Sequence, residues 1–312
     1  MGYNLAALPA YVEQQNYPLL YKSLFDGKTM QYVRKQTGVK GSATVNILDE
    51  DAQFQAGNCG FNPSGSSTLS QRTIVSGYLK VDKKWCPSDL DGYYAQSQLK
   101  PGSYQDAIPF EQEFSELQAG VIAQEIEKAV WQGDKTSTTN NLSFFDGFIK
   151  VISGSSGYIT GSVHVSASTN AAAFSGSAIL DFVDGVYLAL PAAVRSKPDA
   201  AVLVGTDFFA QYTIALKNKN LYNYPVNAST PNELIIPGTS TKMIALNGLD
   251  GQWKVFGGRL SNFVVGVDLE EDSSNYKMWY SQDNQEVRFT CKFRLGTQVA
   301  FPGEVVYAYN GQ

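Results

Sequence analysis

The side chains best suited to nucleophilic, redox or metal chemistry are one histidine, His164 in GYITGSVHVSASTN, and three cysteines, Cys59, Cys86 and Cys291. A Ser-His-Asp triad would need that histidine beside an activated serine. No GxSxG turn accompanies it, and its neighbours read as a polar strand or loop, so His164 is assigned to the surface. Zinc binding fares no better, because none of the cysteines forms the close pair that lets a short loop supply two ligands at once. Odd in number and widely spaced, they read as free, partly buried thiols of a reducing compartment.

Two acidic clusters remain, LDEDAQ at Asp49–Asp51 and DLEEDSSN at Asp268–Asp272. Asp268, Glu270 and Asp272 match the first spacings of a calcium loop, but Ser273 stands at the sixth position and Trp279 at the twelfth, where glycine and glutamate are required. Both clusters therefore read as solvated turns. A carboxylate pair for glycoside hydrolysis could be assembled only in space, and nothing singles one out. There is no GxxxxGK phosphate cradle, and VFGGRLSN has its glycines in the wrong frame for a dinucleotide loop. Asn141 and Asn227 head glycosylation sequons that matter only in a secreted protein. No catalytic, cofactor-binding or metal residue is assigned, no cofactor is expected, and the chain is not expected to be an enzyme.

The composition points away from solution chemistry and towards contact. The 312 residues are 43% hydrophobic, 12% aromatic and only 17% charged, enough for a substantial core in one large or two smaller domains. A formal net charge of −5 argues against a protein that holds nucleic acid on a basic face. The N-terminus lacks a basic start followed by an apolar core, and no stretch reaches the ~20 apolar residues of a membrane span. A soluble protein without a signal peptide, lipid anchor or membrane partner is expected.

Residues 1–41 read as an arm, with a partial helical stripe at Leu19, Leu20, Leu24 and Phe25 ended by Asp26-Gly27. From 42 to 100, SATVNIL and RTIVSGYLKVDKKW flank the turn formers AGNCGFNPSGSSTLSQ, which predicts one long projecting hairpin. Such a hairpin is marginal in water by itself and must lie on something else. PFEQEFSELQAGVIAQEIEKAVWQ, 109–132, gives the strongest helix signal: Pro109 at the first position, Glu111 and Glu113 in the first turn, and Gly133 after the end. Phe110, Phe114, Leu117, Val121, Ile122, Ile126 and Val130 are expected to form its buried face, so an Asp at Leu117 or Val121 should prevent folding.

Residues 134–170 read as a connector, followed by helix, buried strand AAVLVG and helix to about 218, then loops and strands. In the C-terminal region YKMWY and EVRFTCKF form a hairpin through SQDN. Val287, Phe289, Cys291, Phe293 and Leu295 face one way, with Arg288, Thr290, Lys292 and Arg294 facing the other. Gly296 and Pro302 should interrupt the run and leave the last strand at an edge or outside the sheet, open to a partner.

This order of parts resembles the major capsid proteins of tailed double-stranded-DNA bacteriophages. The detailed similarity lies in NLYNYP, IIPGTSTKMIALNGLDG and GGRLSNFVVGVDLEEDSSNYKMWYSQDNQEVRFTCKFRLGTQVAFPGEVV, with TGVKGSATVNIL resembling the entry into that family's extended loop. The resemblance implies an α+β, Hong Kong 97-like fold: an N-terminal arm (1–41), an extended loop (42–100), a peripheral domain with a spine helix (101–150), an apical domain (151–254) and closing strands of the peripheral domain (255–312). It implies a structural subunit that forms hexamers and pentamers of an icosahedral head around DNA, in the virion, after assembly in the bacterial cytoplasm. Implied partners are copies of itself, a portal, a decoration protein and a scaffold that, with only about 40 residues before the hairpin, is a separate protein in preference to a segment already removed. Interface residues implied by the same similarity are Asn58, Phe61, Leu69, Arg72 and Lys80 of the loop, with Tyr222 and Tyr224. An encapsulin-like shell, a secreted β-rich binding module and a hydrolase with an unrecognised acidic pair are the competing readings.

Overall fold

In the computed structural model, the residues described are 27–50, 67–86, 110–139, 141–154, 156–160, 176–219, 232–268 and 276–310, with the single positions 53, 54, 57, 65 and 174. The described residues begin with helix α1 (Lys28–Tyr32) and strand β1 (Arg34–Thr37), then β2 (Ser42–Glu50), β3 (Ser67–Val75) and β4 (Gly77–Trp85). Helices α2 (Phe110–Gln132) and α3 (Phe148–Ser153) follow, then β5 (Ile159–Thr160), α4 (Ala178–Ala189), α5 (Ala192–Arg195), β6 (Ala200–Val204) and α6 (Thr206–Asn218). The remainder is strand: β7 (Glu233–Ile235), β8 (Lys242–Ala245), β9 (Lys254–Arg259), β10 (Phe263–Asp268), β11 (Tyr276–Ser281), β12 (Glu286–Val299) and β13 (Val306–Tyr309).

The described strands form three sheets. One has the order β1-β10-β12-β11 with β4 on the other edge of β12, a second the order β5-β13-β9-β6-β8-β7, and β2 and β3 form a separate two-stranded ribbon. The expected single hairpin over 42–100 is thus divided: β3 pairs with β2 from Ser42↔Val75 to Glu50↔Ser67, while β4 pairs with β12 from Val287↔Trp85 to Leu295↔Gly77. The break at Ser76-Gly77 is steric. A Cβ on Gly77 would lie 2.3 Å from the Phe144 carbonyl oxygen, so only glycine lets the chain pass there and change sheets.

The alternation expected of β12 holds, since Val287, Phe289, Cys291, Phe293 and Leu295 are all buried in one core with α2 and α3. The strand runs on through Gly296 to Val299, where an interruption was expected, because β10 pairs along that half, Gly266 opposite Gly296. Pro302 opens a short 3-10 turn, and β13 then leaves for the second sheet, where it lies between β5 and β9 and not at an edge.

The two sheets share a core. On β6, Ala201 and Leu203 point into the core that holds α2, while Ala200, Val202 and Val204 point to the core under α4 and α6. All five residues are buried, which is why this strand reads as a continuous apolar run. Trp131 sits at the junction, with Phe148, Phe256 and Phe263 ring centroids 5.1, 5.3 and 6.0 Å away. The supposed connector after 134 also belongs here, since Phe145, Phe148, Ile149 and Ile152 are buried in that core.

The buried face of α2 differs from the one its large side chains suggest. Ser115, Gln118, Ala119, Ile122, Ala123, Ile126, Glu127, Ala129 and Val130 are buried, while Leu117 is 62% and Val121 41% exposed. At about 100° per residue, Leu117 lies about 180° from Ile126 around the helix axis. The helix packs through small and hydrogen-bonded residues and leaves a second apolar stripe outside.

Candidate functional site

Among the described residues no group of three or more His, Cys, Asp or Glu side chains could hold a metal ion, and no helix is long and apolar enough to cross a membrane. Cys291 is buried in the sheet, and burial pushes its thiol up to about 12, whereas Cys86 is exposed. A thiol reagent should therefore modify Cys86 in the native protein and reach Cys291 only on unfolding, a difference that peptide mass mapping would read. Equal labelling of both in the native state would contradict this packing. His164, Cys59, Asn58, Phe61, Tyr222 and Tyr224 lie outside the described residues.

What the described chain offers is surface. The β2–β3 ribbon rests on the five-stranded sheet by its root, where Val39, Val45, Ile74, Val264 and Ala300 form a small core. Ile74 sits over Gly266 and Gly296, two positions whose missing side chains let the ribbon approach. Gln298 Nε2 donates to the Thr73 carbonyl at 2.8 Å, and Ser76 Oγ donates to the Gly41 carbonyl at 2.9 Å. Arg72 is the outermost of these clamps: its guanidinium donates to the Val299 carbonyl at 3.1 Å and to the Tyr158 hydroxyl at 3.3 Å. Arg72→Ala should leave the core intact and raise protease cleavage within 42–75 several-fold, since one charge-assisted clamp is worth about 1.5–3 kcal/mol. Unchanged cleavage would show that the apolar root alone holds the ribbon.

The opposite face of the ribbon is open. Leu48 and Leu69 stand directly across from each other, 55% and 71% exposed, and Val75 is exposed as well. A second open apolar surface runs between α2 and β4, a groove of about 350 Å³ lined by Leu79, Val81, Val121, Ile122, Ile126 and Phe144. Lys83 Nζ crosses beneath it to donate to Gln118 Oε1 at 2.9 Å. Lys80, the remaining sequence-proposed contact residue, lies at the edge of this groove and turns its ammonium to Asp82 on the far face of the sheet.

The arm is tied to both sheets. The Lys28 amide donates to Glu127 Oε2 at 2.9 Å and Thr29 Oγ1 to Glu127 Oε1 at 3.2 Å, while Trp131 Nε1 donates to Thr29 Oγ1 at 2.9 Å. Tyr32 donates to Glu233 of β7, and burial together with that bond raises the phenol's pKa. β1 adds a parallel strand to β10, Arg34↔Val264 to Thr37↔Val267. Sequence reading expected a helical stripe at 19–25, outside the described residues, and missed this junction because its anchors are isolated polar residues on α2.

An arm that adds a strand, a two-stranded ribbon, a long helix across one sheet and a second sheet flanked by helices together define the α+β fold of Hong Kong 97-type capsid subunits. At the level of sequence, no protein-family model and no curated protein matches the chain. Solved structures do. A chain of the satellite phage P4 procapsid including size determination (Sid) protein superposes with a TM-score of 0.66 at 11% identity, covering 95% of this chain and 90% of that one. The capsid of a native GTA particle gives 0.57 at 12% identity, with 93% and 91% covered. For the capsid of Myoviridae phage XM1 the values are 0.55, 13%, 90% and 90%. The chain therefore has the phage capsid fold over nearly its whole length.

Proposed function

We propose that this protein is a major capsid subunit that self-assembles into hexamers and pentamers of an icosahedral phage head enclosing double-stranded DNA. The observation that carries the reading is the ribbon. Two strands buried on one face only, from the root as far as Ile47, with a cross-strand Leu48–Leu69 pair in solvent on the other, are stabilised when a neighbour covers that pair. The ribbon and the exposed α2 stripe are different surfaces of one chain, so their coverage by other copies makes heterologous contacts, the kind that close into rings.

In this reading residues 1–41 are the arm, the extended loop is the β2–β3 ribbon with its tip, α2 is the spine of the peripheral domain with β4 and β10–β12, and 151–254 is the apical domain. Leu69 and Lys80 are contact residues, as are Asn58, Phe61, Tyr222 and Tyr224. Arg72 contributes by holding the ribbon at its angle. A scaffolding protein, a portal and a decoration protein are the further partners, and the shell encloses DNA without a sequence-specific site.

Electron microscopy and light scattering of the purified protein, alone and with its neighbouring genes, test the proposal. Closed shells or capsomer rings are expected, and a monomer in every condition would overturn it. Recovery of shells filled with an enzyme in place of DNA would favour the encapsulin-like alternative. Deleting the ribbon tip, residues 51–66, should leave a folded subunit that no longer forms shells; normal shells from the deletion would remove the ribbon from the argument.

A further inference from the structure

Helix α1 cannot stand by itself. It has five residues, fewer than an isolated helix needs in water, and its N-cap position is Gly27, which offers no side-chain acceptor. Its first turn is completed from another element. Glu127, on α2 and 5% exposed, takes the Lys28 amide on Oε2 and the Thr29 hydroxyl on Oε1. Gly27 fits closely against the same carboxylate, since a Cβ there would lie 3.3 Å from Glu127 Oε2. Met30 and Val33 then enter the core that the two sheets share.

The far end of α1 meets the second sheet. Lys28 and Tyr32 are four residues apart, hence on one face of the helix, and that face is turned to Glu233 of β7. Tyr32 donates its hydroxyl to Glu233 Oε1, and burial lowers the pKa of Lys28 while Glu233 and Glu127 both attract its ammonium. β7 forms one edge of the six-stranded sheet and is short. It has three residues, pairs with β8 on its inner side, and buries only Leu234, with Ile235 50% exposed. Asn232, which leads into it, has a φ of 69° and gives its carbonyl to the Ala245 amide at 2.9 Å. An edge strand of three pairs opens at small cost unless something outside the sheet holds it.

We propose that α1 is a strut through which α2 sets the edge of the second sheet: Glu127 seats its first turn, and Tyr32 pins β7 through Glu233. The two ends differ in kind. The Glu127 end is closed to water, whereas Lys28, Tyr32 and Glu233 are half-buried, so the β7 end is the one that opens first. Glu127 and Tyr32 are positioning residues, and a displacement of α1 is felt at Glu233, 201 residues along the chain from Tyr32. Coupling of this kind is reciprocal, so a change at β7 loosens α1 on α2. The strut lies within one chain and holds whether or not copies assemble.

The test is native-state hydrogen exchange on the full chain, kept unassembled, read at the amides of β7 and of Ala245. Tyr32→Phe keeps the ring and removes the donor, and should raise exchange there about tenfold, the scale of one hydrogen bond to a charged group, with β6 and α2 unchanged. Glu233→Ala should do the same without adding to Tyr32→Phe. Glu127→Gln, at the other end of the strut, should raise exchange at β7 about threefold or more in the parent, and should add nothing in the Tyr32→Phe background. Thr29→Val removes one of the two donors to Glu127 and keeps the side-chain shape, and gives the same reading if Glu127→Gln fails to fold.

β7 amides that are unprotected in the parent, or unchanged by Tyr32→Phe, would overturn the pin. A response to Glu127→Gln that persists in full in the Tyr32→Phe background would show that α2 reaches β7 by another route, and would overturn the strut. Equal rises in β6 and α2 would mean that the variants loosen the whole subunit, which overturns it as well.

Discussion

Ile126→Asp is expected to abolish soluble, folded subunit, while Leu117→Asp on the same helix leaves the fold intact. Ile126 is 3% exposed in the core that α2 shares with the two sheets, and Leu117 is 62% exposed. Losing a buried isoleucine side chain costs about 2–5 kcal/mol, and an unpaired carboxylate in its place adds several more, against a total stability of about 5–15 kcal/mol. At Leu117 the new charge stays in water, and a change within about 0.5 kcal/mol is expected. Chemical denaturation of the two purified variants, or the absence of one from the soluble fraction, gives the answer. This reverses the expectation drawn from residue types, in which Leu117 and Val121 were core. If Leu117→Asp also fails to fold, α2 is turned about its axis from the orientation described above. If Leu117→Asp folds but does not assemble, the exposed stripe is itself a subunit contact.

Gly296→Val should detach the ribbon without dissolving the sheet beneath it. A Cβ at Gly296 would lie 2.6 Å from the Val75 carbonyl oxygen, 2.9 Å from the Ile74 side chain and 3.0 Å from the Ser76 Cα. Two of these are backbone atoms that cannot rotate away, and a valine adds two further methyl groups. β12 remains paired to β10 and β4 on its two edges, so strain is relieved by lifting the ribbon root. That exposes Ile74 and Val39, both fully buried, and breaks the Gln298–Thr73 bond. The expected cost is about 3–5 kcal/mol, similar to a severe core substitution. The subunit should still melt cooperatively, cleave rapidly near residue 75 and form no shells. Protease resistance and normal shells would mean that the ribbon does not depend on this close approach.

Much of the architecture was legible because its period and its breaks are local. The alternation of β12, the SQDN turn between β11 and β12, the end of α2 at Gln132 and the helices on either side of AAVLV all follow from spacing and from Gly, Pro and turn residues. The absence of any motif for catalysis was equally local, and so was the outward row of Arg288, Lys292 and Arg294.

What the sequence by itself determined, then, is where α2, β6 and the β11–β12 hairpin run, which side of β12 is apolar, and that the 42–85 region had to find support outside itself. Tertiary structure alone decided the rest. It split that region at Gly77, because the obstacle is the Phe144 carbonyl about 67 residues away and leaves no trace in local pattern. It chose the buried face of α2, because a close helix–sheet approach selects Ala119, Ala123 and the hydrogen-bonded Glu127 over the bulkier Leu117. It also set Lys80 against Lys292 and Lys84 against Arg288, a register fixed by pairing between strands more than 200 residues apart.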